Sequence, residues 1–154
     1  MAGLKIAVML GNLRMDEYEG MKVVAEMGVP GIHLSVGGGR FTPENLDAAA
    51  RKELVRHLSS MDLEISAVSA WGGQVDLGKE ENWQENIEWG KRIMDLTADL
   101  DNDIWQGHCG IMPEDPAQPA WRLFLDGLGQ LAEYGEKVGV RLAIETGPEP
   151  AYVL

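Results

Sequence analysis

The stretch Arg141-Leu142-Ala143-Ile144-Glu145 alternates polar or small side chains with large apolar ones. That alternation bears directly on the fold. Successive side chains of an extended strand point to opposite faces, so Arg141, Ala143 and Glu145 share one face and Leu142 and Ile144 the other. A strand inside an open sheet with helices on both sides is expected to be apolar on both faces. A strand of a (β/α)8 barrel turns its apolar side out to the helices and can carry smaller or polar residues inward. Gly31 to Val36 (GIHLSV) has the same form, with His33 and Ser35 set between Ile32, Leu34 and Val36.

Moving outward from these two strands, the chain reads as strand and helix in alternation. Lys5 to Leu10 is a short apolar run ended by Gly11-Asn12, and Asp16 to Met27 follows with Tyr18, Met21, Val24 and Ala25 on one helical face. After the second strand and Gly37-Gly38-Gly39, Thr42 reads as the N-cap and Pro43 as the first position of a helix carrying Leu46, Ala50, Leu54 and Leu58. Glu64 to Ala70 is the third strand, and a helix lies within Glu80 to Leu100. Asp103 to His108 (DIWQGH) makes a less apolar fourth strand. A long helix through Trp121, Phe124, Leu128, Leu131 and Val138 keeps its period despite Gly127, Gly129 and Gly135, each costing about 1 kcal/mol against alanine. Val140 to Glu145 is the fifth strand, and Ala151 to Leu154 reads as the start of a further helix.

Strand-helix repeats of this length imply parallel strands joined by right-handed crossovers. An open doubly wound sheet and part of a (β/α)8 barrel both satisfy that pattern, and the alternation in strands two and five favours the barrel. The expectation is an α/β chain of about five parallel strands and four helices, a partial TIM barrel over residues 1–154 as a single domain.

Composition narrows the function. The chain has 154 residues, 45% of them hydrophobic and 25% charged, which suits a globular domain with a real core. Its formal net charge of −12 repels a phosphate backbone, and no cluster of Lys and Arg offsets it, so nucleic acid is not an expected partner. The N-terminal apolar run is too short for a signal peptide or a membrane span. The single cysteine, Cys109, excludes an internal disulfide and fits a reducing cytoplasm. No CxxC, HExxH or Ser-His-Asp order is present. Metal-assisted chemistry is the one enzymatic class the residues positively suggest.

Four segments together, KIAVMLGNL at the first strand, VAEMGVPGIHL into the second, GHCGIMPEDP after the fourth and LAIETGPEP at the fifth, resemble the xylose isomerase-like TIM-barrel family. Its members include sugar phosphate isomerases and epimerases and a metal-dependent endonuclease branch. The resemblance implies a barrel whose site lies at the C-terminal strand ends. It implies that Glu145, ending strand five, binds a divalent metal, and that His108, ending strand four, lies close to the site and can ligate it. Further family ligands come from strands six to eight, so one copy of this chain is not expected to complete the metal shell.

Read residue by residue, Glu145 offers an oxygen ligand or a general base, and a solvated strand-end carboxylate is the plainer alternative. His108 offers a nitrogen suited to zinc, manganese or cobalt, against a histidine merely hydrogen-bonded in a loop. His33 reaches the same face by alternation, as a third candidate ligand or as a satisfied interior histidine. Cys109 reads as a small buried hydrophobe. Glu149 is either a supporting acid or a loop charge. The Gly37–Gly39 loop lacks the lysine and spacing of a P-loop, which favours a flexible connector. Trp71 alone of the five tryptophans reads as a pocket wall.

A five-stranded piece leaves two strand edges and one sheet face uncovered, so a homodimer is expected, with a small-molecule substrate and a site shared between subunits. The expected activity is that of a metal-dependent sugar or sugar phosphate isomerase or epimerase. The alternatives are a metal-dependent hydrolase of small phosphate esters or triesters, and a non-catalytic half-barrel scaffold.

Overall fold

A computed structural model of the chain describes residues 5–70 and 76–145. Nine elements alternate: β1 (Ala7–Met9), α1 (Glu17–Glu26), β2 (Gly31–Ser35), α2 (Ala48–Ser59), β3 (Glu64–Ala70), α3 (Trp83–Asp99), β4 (Ile104–Gly107), α4 (Pro119–Val138) and β5 (Arg141–Ile144). Single 3-10 turns stand at Leu10–Leu13 and Gly39–Phe41. All neighbouring strands are parallel, and their order in the sheet is their order in the chain.

That order separates the two architectures the sequence allows. A doubly wound sheet reverses direction at a switch point, which sends its helices to both faces. Here no reversal occurs, so right-handed crossovers put every helix on one face of the sheet, as in a barrel. Ile32, Leu34, Val68 and Trp105 point into the helical layer and are essentially fully buried there, with Met21, Val24, Leu54, Ile93, Met94 and Leu131 packed among them. The other face carries the small and polar residues of the alternation, the four-residue register row Ser35, Ser69, Gln106 and Ala143 among them.

Local chemistry sets the boundaries. The Asp16 carboxylate caps α1 by accepting from the amides of Tyr18 and Glu19, and Gly28 in the left-handed region (φ 70°) ends it. The second helix departs from the sequence reading. Thr42 does accept from the Asn45 amide at 3.2 Å, but it caps only one turn; the helix begins at Ala48, where Asp47 accepts from the amides of Ala49 (3.0 Å) and Ala50 (2.8 Å). Asp47, three residues before the third helical position, is the N-cap that the full helix uses. Asp47→Ala should therefore cost about 1 kcal/mol, lowering the melting temperature by roughly 2 to 4 °C in a thermal melt.

One irregularity in β3 escaped simple alternation. Between Ile32 and His33 the register with β3 slips, so that Ile32 pairs with Ile65 but His33 pairs with Ala67. The extra residue, Ser66, donates its hydroxyl to the Ile32 carbonyl at 3.0 Å. A bulge of this kind lets Ile65 and Val68, three apart, both serve the helical layer while Ala67 and Ser69 take the opposite face.

Helix α4 starts with Pro119 at its first position and stops at Gly139, in the left-handed region at φ 78°. Two of its three interior glycines answer to close packing. A Cβ on Gly127 would lie 2.9 Å from Leu77 Cδ2 and one on Gly135 2.3 Å from the Val140 carbonyl oxygen, whereas one on Gly129 would meet nothing within 4 Å. Among the described residues no helix is long and apolar enough to cross a membrane.

Candidate functional site

The sequential parallel order places the C-terminal ends of all five strands along one rim of the sheet, where each strand hands over to its helix. Glu145 stands there, one residue beyond β5, and His108 one residue beyond β4. The two are joined. His108 Nδ1 lies 2.7 Å from the Glu145 carbonyl oxygen, and a carbonyl only accepts, so Nδ1 carries the proton. The neutral form of this ring then has its lone pair on Nε2.

Glu145 is also fixed through its other groups. Its amide donates to the Gly107 carbonyl at 2.9 Å, extending the β4–β5 ladder by one residue, and its carboxylate Oε2 accepts from Gln106 Nε2. Gln106 is the residue that sequence reasoning missed. The available signal was one polar side chain in DIWQGH, two positions before His108 and therefore on the same face.

His33 lies lower on the same face, within β2, half-buried. Burial holds its imidazole below the ordinary histidine range, and the Glu145 charge acts in the opposite, smaller sense. Its Nε2 is buried with no hydrogen-bond partner among the described residues, as are Ser69 Oγ and Gln106 Oε1 on the two strands beyond it. Orphaned polar atoms gathered on one face are unusual in a folded interior.

The other candidates separate clearly. Cys109 is 1% exposed, and burial pushes its thiol up to about 12, which makes it an inert core residue. Trp105 is fully buried, and Trp83 is anchored by donating from Nε1 to the Leu123 carbonyl at 3.1 Å. The glycine loop after β2 leads into the 3-10 turn, with Asn45 Nδ2 donating to the Gly39 carbonyl at 2.8 Å. Trp71, Glu149 and the expected fifth helix lie outside the described residues.

For a divalent cation, the donor types suit zinc, manganese or cobalt: one carboxylate just beyond β5 and imidazoles on β2 and just beyond β4, with a buried imidazole nitrogen that lacks a partner among the described residues. In number they fall short, since among the described residues no three of His, Cys, Asp and Glu gather as a metal-holding group. Glu145, His108 and His33 therefore match a divalent cation in donor type but not in number.

A parallel sheet wound in sequential order, with its helices on one face and Glu145 joined through its main-chain carbonyl to His108 at the C-terminal rim, has the form of part of a (β/α) barrel. Residues 21–153 match the xylose isomerase-like TIM barrel family, and the chain belongs to that family. Solved structures agree in fold. A xylose isomerase domain protein from Planctomyces limnophilus superposes with a TM-score of 0.75 at 15% identity, over 86% of this chain and 50% of its own. D-psicose 3-epimerase from Clostridium cellulolyticum H10 gives 0.71 at 12% identity, over 92% and 52%. The probable 3-DHS dehydratase AsbF from Bacillus anthracis gives 0.73 at 18% identity, over 94% and 53%. The chain spans about half the length of these structures. No curated protein sequence matches it.

Proposed function

We propose that this chain contributes the strand-four and strand-five part of a divalent-metal site for sugar or sugar phosphate isomerisation or epimerisation. The observation that carries the reading is the attachment of Glu145 to residues 106–108, twice through its main chain and once through its carboxylate, at the rim where barrel enzymes work. Glu145 supplies an anionic oxygen to the cation, and His108 and His33 are the nitrogen donors nearest in kind. A bound cation there would polarise a substrate carbonyl and so acidify the adjacent C–H. Burial lowers the proton affinity of the His33 imidazole, which favours the form that can offer a nitrogen lone pair to the cation.

The reading is tested by titrating the metal-stripped full-length chain with Mn2+, then incubating it with ketoses and their phosphates and following epimer formation. Stoichiometric binding with turnover of a sugar supports it. Binding with turnover of chromogenic phosphate esters instead replaces the isomerase with a hydrolase, and a chain that binds no metal is a scaffold.

A second copy of the chain completes the proposal. Among the described residues β1 pairs only with β2 and β5 only with β4. Beside β5 lies an apolar groove of about 520 Å³ lined by Leu128, Ala132, Val140, Leu142 and Ile144, and Ile144 is 44% exposed. Unpaired strand edges and exposed apolar groups favour association. Light scattering at micromolar concentration should give twice the chain mass; the mass of a single chain overturns the dimer.

A further inference from the structure

Among the described residues, three bonds tie Glu145 to residues 106–108; two hold its backbone and one reaches its carboxylate. The amide bond to Gly107 and the His108 bond to the carbonyl fix where the residue starts. The carboxylate at the far end of three rotatable bonds is set by Gln106 Nε2 on Oε2. The terminal torsion of a glutamate is otherwise broad and nearly two-fold, so this bond decides which oxygen faces which way.

The orientation of the Gln106 amide is dictated by its partner. A carboxylate offers acceptors only, so the nitrogen must face Glu145 and the oxygen must face away. Among the described residues that oxygen, Oε1, is buried and has no partner, and Ser69 Oγ, on the neighbouring residue of the same register row, is buried without a partner too. A buried acceptor left unpaired works against the stability of the fold. Gln106 is half-buried on a strand whose next inward neighbour in the row is Ala143, where an aliphatic side chain would satisfy the sheet without that penalty. Its bond to Glu145 is therefore the feature of the side chain that the fold alone does not explain.

We propose that Gln106 is a positioning residue for Glu145: by holding Oε2 it leaves Oε1 as the oxygen that takes a cation. The inference rests on the reading of Glu145 as a metal ligand and adds which of its oxygens acts and what aims it. Supporting groups of this kind typically change metal affinity by about 10- to 100-fold when removed.

The test uses the full-length chain and Gln106→Leu, which keeps a branched side chain one bond shorter and removes both the donor and the orphaned acceptor. Mn2+ binding is followed by the loss of its free-ion electron paramagnetic resonance signal, and folding by thermal melts without metal. The expected result is a melting temperature equal to or above that of the parent, with the Mn2+ dissociation constant raised by about 10-fold or more. Parent-like binding by Gln106→Leu, with binding lost in Glu145→Gln, overturns the positioning role and leaves the metal reading standing. A melting temperature that falls together with the affinity assigns Gln106 to structure and overturns the proposal as well. Parent-like binding by Glu145→Gln, or no binding by the parent chain, removes the metal reading itself and the proposal with it.

Discussion

Glu145→Gln should abolish divalent-cation binding while leaving the chain folded. The substitution keeps the size of the side chain and replaces an anionic oxygen with an amide, so what is lost is charge and a donor of electrons. For a first ligand we expect an affinity loss beyond about 100-fold, equivalent to roughly 2.7 kcal/mol, larger than the loss expected from its supporting glutamine. Stability should change little. The backbone bonds of residue 145 to Gly107 and His108 do not involve its side chain. The oxygen of the introduced amide can still accept from Gln106 Nε2, as the carboxylate does in the parent. Metal titration beside a thermal melt reads both effects, and retained binding would show that the strand-five carboxylate is not a ligand.

The fold and the site were legible in the sequence to different depths. Strand and helix order followed from apolar periodicity because each helix buries one stripe and each strand one face, and both leave a direct mark on the residues. Glu64 to Ala70 emerged as a strand with the same bounds, yet its bulge did not show. Alternation places Ile65, Ala67 and Ser69 together, and only pairing with β2 reveals that Ser66 is the extra residue. The start of α2 was misplaced for a related reason: Thr42-Pro43 and Asp47 are both good N-terminal signals, and local chemistry alone does not rank a one-turn cap against a full helix. At the site, His108 and Glu145 stood out as chemistry-bearing residues at strand ends. Gln106 did not, because a glutamine has no strong chemistry of its own. Its place beside the strand that carries Glu145 comes from the register Gln106↔Ala143, which only the strand pairing reveals.

The same link between packing and site predicts the largest effect on stability. Gly135→Ala should lower the melting temperature by roughly 6 to 12 °C, a loss of about 3 kcal/mol. After α4 the chain turns back through Gly139, and the Val140 amide bonds the Gly135 carbonyl at 2.9 Å, which lays Val140 directly over Gly135. A Cβ at 135 would sit 2.3 Å from the Val140 carbonyl oxygen. The obstacle is main chain, so no rotamer change relieves it. Moving Val140 strains the next bond, from the Arg141 amide to the Asp103 carbonyl at 2.8 Å, and with it the start of the β4–β5 ladder. That ladder ends in the bonds that hold Glu145, so metal affinity should fall along with stability even though residue 135 is remote from the rim. Gly129→Ala provides the contrast within the same helix. Its Cβ meets nothing within 4 Å, so the helix propensity of alanine should raise stability by about 0.5–1 kcal/mol and leave binding unchanged. Equal effects from the two substitutions would show that helix propensity, rather than the close approach of Val140, governs this end of the sheet.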